Sequence, residues 1–361
     1  MIAVNSRVCL RFAAAMLAGW LLGPAAAFDR IGTAGPIRSF GGTPCAKGYA
    51  QGECDPPEVD STLPVKQKVE ARVERARGLI GLLRTKQAVQ ELDAAVAEAP
   101  EASSAVLLRA RLKLPGQLAD ALRDVESIIA LNPSNPDALA TRAFILAGQD
   151  DLALRDATKA VSIEPDDVDA LWIRSTILVR LGRLDEAEQD LTRAIAAEPD
   201  NPTALLSRAE LRLARGQTSE AGRDADAAIL ARDGTQARQI RAAARARDGE
   251  YDDALSDLNA MLGPVGTKVT ASPVGSRQFV DMLIQRAMVL SRLGRPDDAK
   301  ADLSSIVALG GQRAILQMQL YLRGHGFRDV ALDGKASSLL DDDIISCFLN
   351  DACGRGLTLK T

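Results

Sequence analysis

The chain has 361 residues, of which 47% are hydrophobic, 25% charged and only 3% aromatic. That balance supports a buried core and excludes disorder throughout, while the dominance of Ala, Leu and Arg argues against a β-sandwich or barrel and for closely packed helices. A net charge of −4 and a single histidine leave no global basic field for nucleic acid and little room for histidine-based catalysis or a His-rich metal site.

At the N-terminus, Arg7 and Arg11 accompany an apolar run from Phe12 to Gly23, followed by Ala25-Ala26-Ala27. This is the three-part pattern of a secretory signal. The run falls short of the roughly 20 residues needed to cross a bilayer. Residues 1–27 are therefore expected to be cleaved after Ala27, leaving a soluble exported chain, periplasmic or extracellular, that begins at Phe28. An uncleaved anchor is the alternative. Cys9 precedes the apolar run and is not a lipidation site in this reading.

Residues 28–63 are rich in Pro and Gly and read as an irregular leader. Without Cys9, four cysteines remain, in two close pairs at opposite ends: Cys45 with Cys54, and Cys347 with Cys353. Behind a signal peptide, local pairs read as two disulfides, each worth about 2–3 kcal/mol in the chain-entropy picture. Cys347 and Cys353 lie about 240° apart around a helix, so a bridge needs the helix to end between them, at Asn350-Asp351. A four-cysteine zinc site is the competing reading, but no CxxC is present.

From about residue 64 to 312 the chain repeats itself. An Ala with an acid three residues later recurs at Ala88/Glu91, Ala121/Asp124, Ala153/Asp156, Ala187/Asp190, Ala221/Asp224, Ala254/Asp257 and Ala299/Asp302. Successive gaps are 33, 32, 34, 34, 33 and 45 residues. Gly stands five residues before that Ala in all but the first unit, where Leu83 replaces it. Each unit also carries an upstream arginine: Arg75, Arg109, Arg142, Arg174, Arg208, Arg241 and Arg286. Each unit reads as two amphipathic helices. In the fourth, Ala170 to Leu181 presents Leu171, Ser175 and Leu178 on one stripe. Gly182 ends that helix, Leu184 to Ala197 forms the next, and Pro199 stops it. The recurring Ala lets the helices approach closely. Arg and acid are 16 residues apart in five units, one on each helix, so two readings arise: a ladder of half-buried ion pairs, which is favoured, or a row of arginines binding an anionic ligand.

This pattern resembles the tetratricopeptide repeat family; the unit Asp169–Asn201 matches it at Leu171, Gly182, Ala187, Ala194 and Pro199. The resemblance implies an α-solenoid of about seven helix hairpins whose first helices face a concave groove. Positions two before and two after the repeated arginine would line it: Val73 and Arg77, Leu107 and Arg111, Ala140 and Phe144, Trp172 and Thr176. They continue with Leu206 and Glu210, Gln239 and Ala243, and Ile284 and Met288. Aromatics are scarce here, so Trp172 is either an anchor for a bound peptide or a packing residue.

The longest gap falls at residues 263–278, a Gly-, Pro-, Ser- and Thr-rich insert read as a surface loop. Residues 313–361 depart from the repeat and are expected to form a small helical module. It is similar to a peptidoglycan-binding-like domain at Ile315, Leu316, Gln317, Leu320, Leu322, Gly326-Phe327 and Asp333-Gly334, although Lys335-Ala336-Ser337-Ser338 replaces that family's following Gly and Thr. The alternative is a cap on the apolar end of the array. His325 stands between glycines without a catalytic constellation, and Asp341-Asp342-Asp343 lacks EF-hand spacing. No cofactor or metal motif is seen, and no nucleophile–base set points to an enzyme. The expected function is an exported adaptor that binds a protein or peptide in its groove, or else a factor tethered to peptidoglycan.

Overall fold

The computed structural model describes residues 56–82, 84–113, 117–146, 148–231, 234–267 and 276–349. The signal-like segment, Cys45, Cys54 and Cys353 lie outside these. The described chain is all-α and is built of helix hairpins in solenoid fashion. It divides into two compact units, 1–204 and 205–361.

The described residues of the first unit form four hairpins: α1 (Val65–Gly81) with α2 (Thr85–Glu98), α3 (Ser103–Lys113) with α4 (Leu118–Leu131), α5 (Pro136–Ile145) with α6 (Asp150–Ile163), and α7 (Val168–Arg180) with α8 (Leu184–Ala197). Local chemistry sets their ends. The side chains of Asn135 and Asp167 accept the backbone N–H groups of Ala138 and Ala170 and so cap α5 and α7. At the other end of α7, Gly182 has φ of 75°, and the Arg183 N–H turns back to the Leu178 carbonyl at 2.8 Å. The recurring alanines are buried completely, with 0% exposure at Ala88, Ala121, Ala153 and Ala187. The helices of each hairpin meet there without intervening side-chain bulk.

The end of the leader is docked. Pro56 is buried and packs over Gly78, where an added Cβ would lie 3.1 Å from the proline ring. Its carbonyl also accepts a hydrogen bond from Arg75 at 2.7 Å. Pro56 is thus fastened to α1 by both packing and a hydrogen bond.

The second unit contains α9 (Pro202–Ala214, whose first residues belong to the first unit) with α10 (Thr218–Ala231), α11 (Thr235–Asp248) with α12 (Tyr251–Leu262), and α13 (Ser276–Arg292) with α14 (Pro296–Gly324), followed by α15 (Ser338–Leu349). The insert is shorter than the sequence suggests: residues 276–278 already belong to α13, because no helix breaker follows Gly275. Helix α14 is interrupted at Gly311, with φ 55° and ψ −150°, beside the expected module boundary. Beyond the kink, Ala314, Ile315, Met318 and Leu322 join Leu340, Ile344, Cys347 and Phe348 of α15 in one apolar cluster with the core of α13. The C-terminal helices therefore cover the open side of the last hairpin, as a solenoid end requires.

The Asp333-Gly334 turn is held from within. Gln319 donates to Asp333 at 2.9 Å and accepts the Gly334 N–H at 3.0 Å. Hydrogen bonds from the Lys335 N–H and from Gln319 hold the Asp333 carboxyl below the usual range. Gly334 has φ of 66°, a left-handed conformation that favours glycine.

Candidate functional site

The arginines and acids singled out by the repeat meet in every unit. Arg75 reaches Glu91 at 2.9 Å. Paired, two-pronged contacts join Arg109 to Asp124 at 2.9 and 2.8 Å, Arg142 to Asp156 at 2.6 and 2.9 Å, and Arg174 to Asp190 at 2.7 and 2.6 Å. The second unit repeats the arrangement with Arg208 and Asp224 at 2.9 and 2.7 Å, Arg241 and Asp257 at 2.9 and 2.5 Å, and Arg286 and Asp302 at 2.8 and 2.7 Å. Each pair crosses its own hairpin. Side-by-side geometry of this kind is the strong form of the arginine–carboxylate contact. The Asp257 hydrogen bond holds the Arg241 guanidinium above its ordinary range.

Several arginines also reach backward. Arg109 Nη1 donates to Asp93 on α2 at 3.0 Å, and Arg241 Nη1 to Asp226 on α10 at 2.7 Å. Arg286 Nη1 donates to Asn259 at 3.0 Å and to the Gly263 carbonyl at 2.6 Å. One guanidinium thus joins three helices, and its charge is consumed by the scaffold. Arg174→Ala is accordingly expected to lower the melting temperature and leave partner affinity nearly unchanged; an affinity loss at constant melting temperature would assign the ladder to ligand binding instead.

The positions expected to line a groove separate into two kinds. Two residues before the ladder arginine, Val73, Leu107, Ala140, Gln239 and Ile284 are buried, which corrects their expected availability to a partner. That side of the helix turns into the apolar clusters between hairpins. Trp172 and Leu206 stay half-buried at the same register. Two residues after the arginine, Arg77 is exposed, and Arg111, Phe144, Thr176, Glu210, Ala243 and Met288 are all half-buried. The solvent-facing register is therefore the later one.

Two of these residues are engaged in ways the repeat does not announce. Arg111 donates to Thr141 Oγ1 on α5 at 3.2 Å and to Asp169 on α7 at 3.1 Å, spanning three successive first helices. Glu210 accepts from Gln236 on α11. Arg77 pairs with Glu74, one turn away at 3.5 Å. The aromatic rings of Phe144 and Trp172 meet at a centroid distance of 5.9 Å, tilted by 39°. The Trp172 carbonyl accepts both Ser175 and Thr176, at 2.7 and 3.0 Å, which fixes the backbone beneath the ring. Phe144, Trp172, Thr176 and the Arg111–Asp169 tie together give the first unit a partly exposed aromatic face with a polar margin.

At the C-terminus, Cys347 is buried and disulfide-bonded, and α15 ends at Leu349. Among the described residues no group of three or more His, Cys, Asp or Glu is placed to hold a metal, and no helix is long and apolar enough to cross a membrane.

The family model for the tetratricopeptide repeat matches residues 151–202 and 174–237. No curated protein matches the chain. Among solved structures, a tetratricopeptide repeat protein from Parabacteroides merdae aligns at 18% identity over 79% of this chain and 100% of its own, with a TM-score of 0.44. PilW, described as a type IV pilus biogenesis factor, aligns at 17% identity over 54% of this chain and 92% of its own, with a TM-score of 0.46. YrrB, described as having an unusual peptide-binding site, aligns at 18% identity over 50% of this chain and 97% of its own, with a TM-score of 0.33. By that family match, residues 151–237 carry tetratricopeptide repeats.

Proposed function

We propose that this protein is a non-catalytic scaffold of the periplasm or cell envelope that binds a protein or peptide through the Phe144–Trp172 face of its first unit. The repeat architecture supports a protein-interaction role in general. The carrying observation for the site is the aromatic pair, half-exposed at the groove register in a chain where aromatics are only 3% of residues. Large, rigid aromatic surfaces concentrate binding energy at interfaces. With the ladder arginines paired internally, recognition rests on apolar contact and shape. The signal-like residues 1–27 support export, and the terminal cysteine pairs, read as Cys45–Cys54 and Cys347–Cys353 disulfides, suit an oxidising compartment. The internal anchoring of the Asp333-Gly334 turn by Gln319 supports capping over wall attachment for the C-terminal module.

A photoreactive amino acid at Thr176, beside the ring pair, is expected to crosslink one partner in intact cells. Trp172→Ala should weaken binding of that partner about tenfold or more, with the melting temperature little changed. Unaltered affinity in Trp172→Ala would remove this face from consideration.

A further inference from the structure

The third hairpin, α5 with α6, differs from its neighbours. Helix α5 has 10 residues and is the shortest described. Its ladder pair, Arg142 and Asp156, is 14 residues apart, where five other units have 16. At three other junctions, the residue two after the ladder acid on the preceding second helix supplies a partner for the next arginine's Nη1: Asp93 for Arg109, Asp226 for Arg241, Asn259 for Arg286. At the junction of α4 with α5 that residue is Glu126. It lies close enough to act electrostatically on Arg142, but no hydrogen bond joins them, and both prongs of Arg142 go to Asp156. The clasp that closes those three junctions stands open here, as it does at Arg174, where Thr158 takes the partner's place.

A cavity of about 490 Å³ occupies the gap. Leu122 of α4, Leu146 after α5 and Leu152 of α6 form its apolar lining, with Glu126, Arg142 and Arg155 around them. Its size is within the range of ligand pockets, roughly 300–1,000 Å³. Leu152 is 42% exposed, and Arg155 is exposed with no ion-pair or hydrogen-bond partner among the described residues. The cleft is distinct from the aromatic face: neither Phe144 nor Trp172 lines it.

We infer that this cleft is a second docking site and that its occupant is a peptide segment of a partner protein, with aliphatic side chains against the three leucines and a carboxylate against Arg155. The argument is one of replacement. At closed junctions a donor, the arginine Nη1, is satisfied by an acceptor on the neighbouring helix. Here donor and acceptor are held apart, and a peptide group supplies what each lacks: its carbonyl accepts from Arg142 and its N–H donates to Glu126. The leucines bury the flanking aliphatic groups, and the unpaired Arg155 selects an acid over a base.

The test is a random displayed-peptide library selected on the full purified chain. Enriched peptides are expected to carry paired aliphatic residues next to Asp or Glu. Their affinity should fall tenfold or more with Leu152→Asp and hold with Trp172→Ala. Both Leu152 and Arg155 are exposed, so these variants should keep the wild-type melting curve. Arg155→Glu should reverse the preference, enriching Lys or Arg in place of the acid. The inference is overturned if nothing is enriched, if enriched peptides bind Leu152→Asp and Arg155→Glu as tightly as wild type, or if their binding is lost with Trp172→Ala instead.

Discussion

Arg286→Ala is expected to destabilise the second unit by about 3–5 kcal/mol, the largest single effect in the ladder. Arg286 and Asp302 are each only 2% exposed, whereas the Arg142 and Asp156 side chains are 27% and 14% exposed. Burial alone pushes the Asp302 carboxyl up, and its hydrogen bonds with Arg286 oppose that rise. Removing the arginine strands a buried carboxylate and also deprives Asn259 and the Gly263 carbonyl of their donor. A fall of roughly 10 °C in the melting transition of this unit should follow. Replacing both partners, Arg286→Met with Asp302→Leu, should recover most of the loss, since a well-packed apolar pair carries no desolvation cost. The exposed pair Arg183–Glu186 provides the contrast: Arg183→Ala should leave the transition where it is. A single Arg286→Ala variant as stable as wild type would mean that the ladder holds nothing together.

Ala187→Leu is expected to cost about 1–3 kcal/mol through overpacking. Ala187 sits with 0% exposure where α8 first meets α7, and the six equivalent alanines are likewise fully buried. Three added carbons have no void to enter, so the hairpin must splay or force its neighbours off their rotamers. Ala196, on the exposed side of the same helix, is the control; Ala196→Leu should change stability by no more than about 0.5 kcal/mol. Chemical denaturation of the two variants separates packing from helix propensity, because propensity acts equally at both sites.

Much of this architecture was legible in the sequence for a definite reason. A repeated hairpin must solve the same close-packing problem each time, so Ala187 and Gly182 have counterparts at fixed spacing, and periodic residues advertise their own structure. The ladder was legible in the same way, since Arg174 and Asp190 recur together. The site was less so. Counting two residues to either side of the arginine treats both sides as equivalent, yet Leu107 and Ile284 turn into clusters shared with neighbouring helices while Phe144 and Met288 stay half-buried. That difference is set by the neighbouring hairpin's position, which no single repeat encodes. The Arg111–Asp169 contact joins residues 58 apart and depends on three first helices lying side by side. The open junction at Arg142 left a faint trace, a ladder spacing of 14, but its meaning needed the backward contacts of the other arginines.

Those backward contacts also bear on how the array comes apart. In a stacked array, cooperativity is the strength of coupling between neighbours, summed along a line. Where Arg109 holds Asp93, or Arg241 holds Asp226, adjacent hairpins are stitched by charge as well as by apolar area and should open together. Between the second and third hairpins that ladder stitch is missing, and the coupling runs instead through the Arg111 hydrogen bonds to Thr141 and Asp169 along the row of first helices. Without Arg111, α1–α4 and α5–α8 would open as separate cooperative blocks.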